Sequence, residues 1–173
     1  MVDQPRPPVK RTLAAVIGAS AAALLISLTS SQEGVSLTPY SDSLANDLQT
    51  VCFGETNVPM HAYTLPQCKD MLGNSLAGYA EAVRDATPGF DSLTDGQKVA
   101  AVDMAYNAGV ANYKASTLRE MYAGKKFPSA CEQFLRWRFI NHGKTDCAVP
   151  ANRCGGIYTR RLLERSACLG EPK

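Results

Sequence analysis

The sequence predicts an α+β fold that is mostly helical, with a small amount of strand near the start of the folded body. Three observations predict it. The chain has 173 residues, 45% of them hydrophobic, which suits one domain with a substantial core. A β-branched and aromatic run from Thr50 to Phe53 stops at Gly54, as is typical of a short strand. Apolar residues recur at helical spacing over most of the remaining chain.

Five stretches after this strand are predicted to be helices. The first opens with Thr64 and Gln67 and the second with Thr94 and Gln97, which match the capping box of helix N-termini. Their apolar faces are formed by positions 68, 71, 72, 76, 79 and 83, and by positions 99, 102, 105, 106 and 109. STLREMYAG, SACEQFLRWRFI and IYTRRLLERSACLG predict the other three. Before the strand, SQEGVSLTPYSD predicts a helix end closed by Gly34, followed by a loop.

The positive charge of the chain lies at its N-terminus. The formal net charge is +2, and residues 1–11 hold Arg6, Lys10 and Arg11 against Asp3. Residues 12–173 therefore contain 15 basic and 15 acidic residues and are neutral overall. A nucleic-acid-binding protein needs a basic face for phosphates, so this class of function is not expected.

Six cysteines follow the N-terminal apolar segment, at positions 52, 68, 131, 147, 154 and 168. An even number of cysteines in an exported chain predicts disulfides. A zinc site is the alternative, but it would need closely spaced cysteines near histidines, and His61 and His142 lie beside no such pair. Cys147 and Cys154 bracket a short loop and are predicted to form one disulfide. No metal or cofactor is expected.

Residues 12–32 carry no charge and are long enough to span a bilayer as a helix. Lys10 and Arg11 precede them, so residues 1–11 are expected to stay in the cytoplasm and residues 33–173 to be exported. The segment is only marginally hydrophobic, because Gly18 and several hydroxyl residues dilute it. A cleaved signal peptide with a site at Ala19-Ser20-Ala21, a permanent anchor, and a helix that later leaves the bilayer are all open interpretations. Marginal hydrophobicity favours the third.

Glu33 and Asp42 are the candidate catalytic carboxylates. A glycosidase needs one carboxyl group that stays protonated, beside apolar neighbours, and one that stays ionised and handles water. Glu33 follows an apolar stretch and suits the first role, whereas Asp42 lies in the polar sequence PYSDS and suits the second. Spacing alone is weak support, because solvated surface carboxylates are common in any exported domain.

Seven segments in order strengthen this interpretation: QEGVSLTPYSD, TVCFGET, YTLPQC, MAYNAGV, STLREMYAG, FLRWRF and TRRLLERSACLG. Together they resemble the phage lysozyme family, and most of all the endolysins of lambdoid phages, from about Leu28 to Gly170. The resemblance implies a lysozyme-like two-lobed fold, with a small short-stranded N-terminal lobe and a helical C-terminal lobe. It also implies that Glu33 is the general acid, that Asp42 is the carboxylate that handles water, and that the Thr50 hydroxyl helps to hold that water.

The chain departs from the family pattern at two places. Seven residues separate Asp42 from Thr50, where the family usually has five, and the longer loop makes Asp47 a rival for Asp42. The family's histidine after its YG is Glu55 here, which is interpreted as a changed packing contact. One further basic residue, Arg160 or Arg161, is expected near Glu33, as in the family.

Arg136 and Trp137, in FLRWRF, are expected to pack within the helical lobe rather than to contact sugar.

The resemblance implies an enzyme that hydrolyses the β-1,4 bond between N-acetylmuramic acid and N-acetylglucosamine in peptidoglycan, causing lysis of the host cell. The helix that carries the acid would have to come from ALLISLTSSQEG, so the back half of residues 12–32 would serve both as membrane helix and as first catalytic helix. This matches signal-arrest-release endolysins, which are held inactive at the host inner membrane and then released to the periplasm. A monomer is expected, with peptidoglycan and the inner membrane as its partners.

Some relatives are activated by a cysteine in the membrane segment, and residues 12–32 contain none. Activation is therefore expected to be refolding of the released segment. A tethered peptidoglycan-binding protein without catalysis and a lytic transglycosylase remain the alternative functions.

Overall fold

A computed structural model describes residues 11–42 and 47–171. The basic tail, apart from Arg11, and residues 43–46 of the lengthened loop lie outside the described residues. Helices in the described ranges are α1 Leu13–Ile17, α2 Ala19–Gln32, α3 Leu65–Ala86, α4 Asp95–Ala108, α5 Val110–Lys114, α6 Thr117–Ala123, α7 Phe127–Gln133 and α8 Gly155–Leu169. Strands are β1 Ser36–Asp42, β2 Leu48–Cys52, β3 Phe139–Ile140 and β4 Thr145–Asp146, and short 3-10 turns cover Phe90–Ser92, Phe134–Trp137 and Pro150–Asn152.

The apolar segment is folded into the body as two helices rather than one. Gly18 separates α1 from α2, with a φ of 92°, a backbone conformation that favours glycine. α1 packs on α3, and α2 packs on α3 and α4. The buried apolar residues of the two helices belong to the main hydrophobic core; they are Leu13, Val16, Ile17, Ala21, Ala22, Leu25 and Leu28.

No helix within residues 11–42 and 47–171 combines the length and the apolar content needed to cross a membrane.

The residues after α2 form a strand and not the predicted loop. β1 pairs antiparallel with β2, with Tyr40 opposite Thr50 and Asp42 opposite Leu48. The pairing is irregular between Ser36 and Tyr40, where Pro39 cannot donate a backbone hydrogen bond. The sequence signal for this strand is therefore weak, because its ladder depends on a partner and contains a proline. The predicted strand at Thr50–Phe53 is present as β2, shifted toward the N-terminus.

Glycine positions account for two further corrections at helix ends. α2 ends at Gln32, and the cap is Glu33, whose backbone N–H donates to the Thr29 carbonyl oxygen. Gly34 is not among the glycines with positive φ, so it does not close the helix as predicted. Gly109 ends α4 with a φ of 95° instead of continuing its apolar face.

Both predicted capping boxes are confirmed. The Thr64 hydroxyl accepts from the Gln67 backbone N–H at the start of α3, and Thr94 and Gln97 make the same arrangement at the start of α4. Each box satisfies N–H groups that would otherwise lack partners in the first helical turn. The helices predicted around STLREMYAG and IYTRRLLERSACLG are α6 and α8. The one predicted over SACEQFLRWRFI changes to a 3-10 turn at Phe134.

The six cysteines form three disulfides, so the disulfide prediction is confirmed over the zinc alternative. The predicted pair Cys147–Cys154 is present. The other two are Cys52–Cys68, which ties β2 to α3, and Cys131–Cys168, which ties α7 to α8. Cross-links of this kind constrain the unfolded chain and typically contribute about 2–4 kcal/mol each.

Candidate active site

Glu33 directly follows the last turn of α2, at the point where the backbone becomes extended. Four polar residues, 29–32, precede it, and the hydroxyls of Ser30 and Ser31 donate to the carbonyls of Ser27 and Leu28. Such side-chain bonds compete with the helical ladder and favour a helix end. Glu33 itself has φ −98° and ψ 143°, and its side chain is 29% exposed. Its carboxyl group is therefore fixed at the end of a buried helix and still reaches solvent.

Asp42 lies at the end of β1 and lines the same cleft as Glu33. The cleft has a volume of about 480 Å³, and its other lining residues are Gly34, Val35, Ser36, Tyr40, Phe53 and Gly54. One wall thus comes from the end of α2 and the other from the β1–β2 hairpin. The structure brings together the two carboxylates that the sequence predicted.

Thr50 is not among the described residues that line this cleft. It lies on β2 opposite Tyr40, is only 2% exposed, and its hydroxyl donates to the Leu48 carbonyl oxygen at 3.0 Å. The hydroxyl oxygen retains acceptor capacity. Thr50 therefore lies on β2, paired with the lining residue Tyr40 on the neighbouring strand β1.

Asp47, the rival carboxylate, lies in the turn before β2. Its φ is 59°, a conformation that aspartate and asparagine tolerate well. Its backbone N–H donates to the Asp42 carbonyl oxygen at 2.9 Å, and its carbonyl oxygen accepts from the Ser41 hydroxyl. It is exposed and is not among the described lining residues of the cleft. These contacts place Asp47 in the turn, whereas Asp42 lines the cleft.

Arg160 is the basic residue that contacts Glu33. Its Nη1 donates to Glu33 Oε1 at 2.5 Å, and the Arg160 side chain is only 5% exposed. The same group forms a two-point contact with Asp103, Nε to Oδ2 and Nη2 to Oδ1, both at 2.8 Å. Arg161 points elsewhere: its Nη2 donates to Asn107 Oδ1 and lies 3.0 Å from Glu164 Oε1.

Two pKa shifts follow from this arrangement. Burial by itself lowers the pKa of the Arg160 guanidinium, but the hydrogen bonds and charges of Asp103 and Glu33 raise it above its ordinary value, so the side chain stays charged. Tyr106, whose ring lies 5.8 Å from the Arg160 guanidinium carbon, has its pKa raised to about 12 by burial and then by the charge of Glu33. Tyr106 therefore stays neutral beside Glu33.

Asp103 and Thr29 are functional candidates that the sequence interpretation missed. Both are fully buried, and the Thr29 hydroxyl donates to Asp103 Oδ1 at 2.7 Å. A signal for Asp103 does exist, because it is the one charge in the apolar run VAAVDMAY. A lone carboxylate in such a run implies a buried cationic partner.

Glu55 occupies a separate place from the cleft carboxylates. Its carboxylate accepts from the Ser75 hydroxyl on α3 at 2.9 Å, and its backbone pairs with Val51. It lines a different cavity, together with Arg11 and Glu81. These contacts agree with a packing role for Glu55.

Trp137 packs partly buried against the core, as expected, and Arg136 is exposed beside it.

The chain matches known proteins in sequence and in fold. A family model described as phage lysozyme matches residues 30–164. A SAR-endolysin of Enterobacteria phage P21 is 31% identical over 172 residues, covering 94% of this chain and 96% of the relative.

Two solved structures share the fold. The endolysin of Escherichia coli O157:H7 phage FAHEc1 has a TM-score of 0.69 at 21% identity, over 86% of this chain and 94% of that one. The active form of the P1 phage endolysin Lyz has a TM-score of 0.64 at 18% identity, over 91% of both chains. The mostly helical α+β fold class predicted from the sequence is confirmed.

Proposed function

Because the chain belongs to the phage lysozyme family, we propose that it is a phage endolysin that degrades peptidoglycan. The family, the lysozyme-like fold and the endolysin relatives support this class of enzyme. The finer proposal is a muramidase that hydrolyses the β-1,4 bond between N-acetylmuramic acid and N-acetylglucosamine. The observation that carries it is the cleft in which Glu33 and Asp42 both lie, with Arg160 against Glu33.

In the proposed reaction, Glu33 protonates the glycosidic oxygen as the bond to the anomeric carbon breaks. Asp42 accepts a proton from the water that attacks this carbon, and Thr50 helps to hold the water. General acid and base groups on either side of the bond are what glycoside hydrolysis requires. Arg160 orients the Glu33 carboxyl by its hydrogen bond to Oε1.

Replacing Asp42 by asparagine is expected to lower the rate of peptidoglycan hydrolysis by about 100-fold or more, because the amide cannot take a proton from water. Asp47→Asn is the matched control, since asparagine also tolerates the φ of 59° at that position and the variant should keep nearly full activity. The measurement is release of reducing sugar ends from purified peptidoglycan. Loss of activity in the Asp47 variant alone would reverse the assignment.

A muramidase and a lytic transglycosylase differ in their products. Mass spectrometry of the released muropeptides is expected to find reducing N-acetylmuramic acid ends. Anhydro-sugar ends would instead support a transglycosylase that needs only Glu33. Absence of any new ends, with binding to peptidoglycan retained, would support a binding protein without catalysis.

We further propose that residues 12–32 hold the protein at the host inner membrane before it is released to the periplasm. The segment is uncharged and preceded by Lys10 and Arg11, and relatives over most of the chain are named SAR-endolysins. Leu25 and Leu28, whose side chains would face lipid in a spanning helix, are at most 3% exposed in the folded body. The same residues therefore cannot be in lipid and in this core at once, which makes the segment a two-state element.

A segment locked in the bilayer is expected to delay or abolish lysis. Gly18→Leu combined with Ser20→Leu raises the apolar content and strains the folded form, because leucine rarely adopts the φ of 92° found at position 18. The measurement is the lysis time of cells that express the full chain, with fractionation to follow membrane and soluble protein.

Gly78→Leu is the control, because position 78 is exposed on α3, outside the segment, and no atom lies within 4 Å of a Cβ added there. Lysis on the normal schedule by the locked variant would contradict the proposed release.

A further inference from the structure

We propose that Asp103, whose carboxylate is held by a hydrogen bond from the Thr29 hydroxyl, is a positioning residue for the acid Glu33. In this arrangement Asp103 holds Arg160 in place and compensates its charge, so that Nη1 of Arg160 can orient the Glu33 carboxyl group. The inference rests on the proposed function of Glu33.

The geometry of Arg160 is fixed by Asp103 and not by Glu33. Two nitrogens of the guanidinium donate to the two carboxylate oxygens of Asp103, which leaves Nη1 for Glu33. A two-point contact between planar groups fixes both distance and orientation. Glu33 receives a single hydrogen bond from a group whose direction is already set.

Charge compensation explains why an arginine can contact a proton donor. An isolated guanidinium at hydrogen-bond distance favours the ionised form of a carboxyl group. Asp103 is 0% exposed, so its negative charge acts on Arg160 with little screening by water. Beside Glu33, the Asp103–Arg160 pair is close to neutral overall.

Thr29 links this pair to the helix that carries the acid. It is four residues before Glu33 on α2 and is fully buried, whereas the neighbouring hydroxyl residues Ser27 and Ser31 are exposed. Its hydroxyl donates to Asp103 Oδ1, and its backbone carbonyl accepts from the Glu33 N–H at 3.1 Å. One residue therefore fixes both the end of α2 and the carboxylate that holds Arg160.

A structural role alone is a poor explanation for a buried ion pair at this place. Well-packed apolar residues of similar volume commonly stabilise a core as well as a buried ion pair does. The ionisable groups that act on the pair are Arg161 and Glu164 on α8 and Tyr106 on α4, and Asp42 lines the cleft beside Glu33. They stay unchanged in the variants below.

The first test is the kcat and KM of Asp103→Asn in the full chain, with soluble peptidoglycan fragments as substrate. The value of kcat should fall by about 100-fold with little change in KM, because the acid is misplaced while the residues that bind the sugar stay in position. Asp91→Asn, which removes an exposed carboxylate paired with Arg84, is the control and should keep the wild-type kcat and KM.

The second test changes the neutral residue Thr29 and removes no buried charge. It therefore tests the positioning role even if Asp103→Asn fails to fold. Thr29→Val removes the hydroxyl at nearly constant volume and should lower kcat by about 10-fold, while Thr29→Ser should restore it. Wild-type kcat in Thr29→Val would overturn the proposal. So would wild-type kcat in a folded Asp103→Asn protein.

Glu33→Gln separates this inference from the proposed function. If that variant stays active, the proposed function itself fails. If it is inactive while the Thr29 and Asp103 variants behave like wild type, only the positioning role fails.

Discussion

Replacing Glu33 by glutamine is expected to lower muralytic activity by about 1,000-fold while the fold is kept. Glutamine can still accept the hydrogen bond from Arg160 Nη1, so the contact that orients the side chain survives. It cannot supply the proton that the leaving oxygen needs, and general acid catalysis is typically worth about 10²–10⁴-fold. The measurement is clearance of outer-membrane-permeabilised Gram-negative cells by the purified full chain, followed as turbidity.

Glu132→Gln is the matched control for this experiment. Glu132 is an exposed carboxylate that also pairs with an arginine, Arg165, at 2.7 Å, and its loss should leave clearance unchanged. Circular dichroism and mass spectrometry of the intact disulfides would show that each protein is folded. Clearance by folded Glu33→Gln protein would exclude Glu33 as the acid, and no clearance by folded wild type would favour a binding protein.

The largest expected effect on stability comes from Gly96→Ala. Gly96 is the second residue of α4, where this helix crosses the last turn of α8. A Cβ at Gly96 would overlap the carbonyl oxygen of Ala167 and lie 3.0 Å from its carbon. Backbone cannot rotate away as a flexible side chain can, so the two helices would have to separate. The expected cost is about 3 kcal/mol, within the range for overpacked cores.

Gly78→Ala is the control for that substitution. Position 78 is an exposed site within α3 with no atom within 4 Å of an added Cβ. Alanine is favoured over glycine inside a helix, so this variant should gain about 0.5–1 kcal/mol. Urea unfolding of both variants measures their free energies of unfolding against that of the wild type. Equal stability of Gly96→Ala and wild type would show that α4 and α8 do not approach each other closely enough for the added Cβ to clash.

Much of the site was predictable from the chain because its residues are close in sequence. Glu33 and Asp42 lie only nine positions apart in the chain, although the strand that carries Asp42 depends on its pairing with β2. The charged run RR at 160–161 gave two candidates, and sequence spacing could not choose between them. Only the packing of α8 on α4 directs Arg160 to Asp103 and Glu33 and directs Arg161 to Asn107.

Local chemistry determined the capping boxes of α3 and α4, the disulfide-bonded state of the cysteines and the fold class, since each depends on short-range pattern or on composition. Tertiary structure alone decided that residues 36–42 form a strand, because a proline-containing strand exists only with its partner. It also decided that Thr29 and Asp103 meet across 74 positions in the chain. Contacts of this kind depend on how helices cross, and helix crossings are set by the whole core rather than by the residues that meet there.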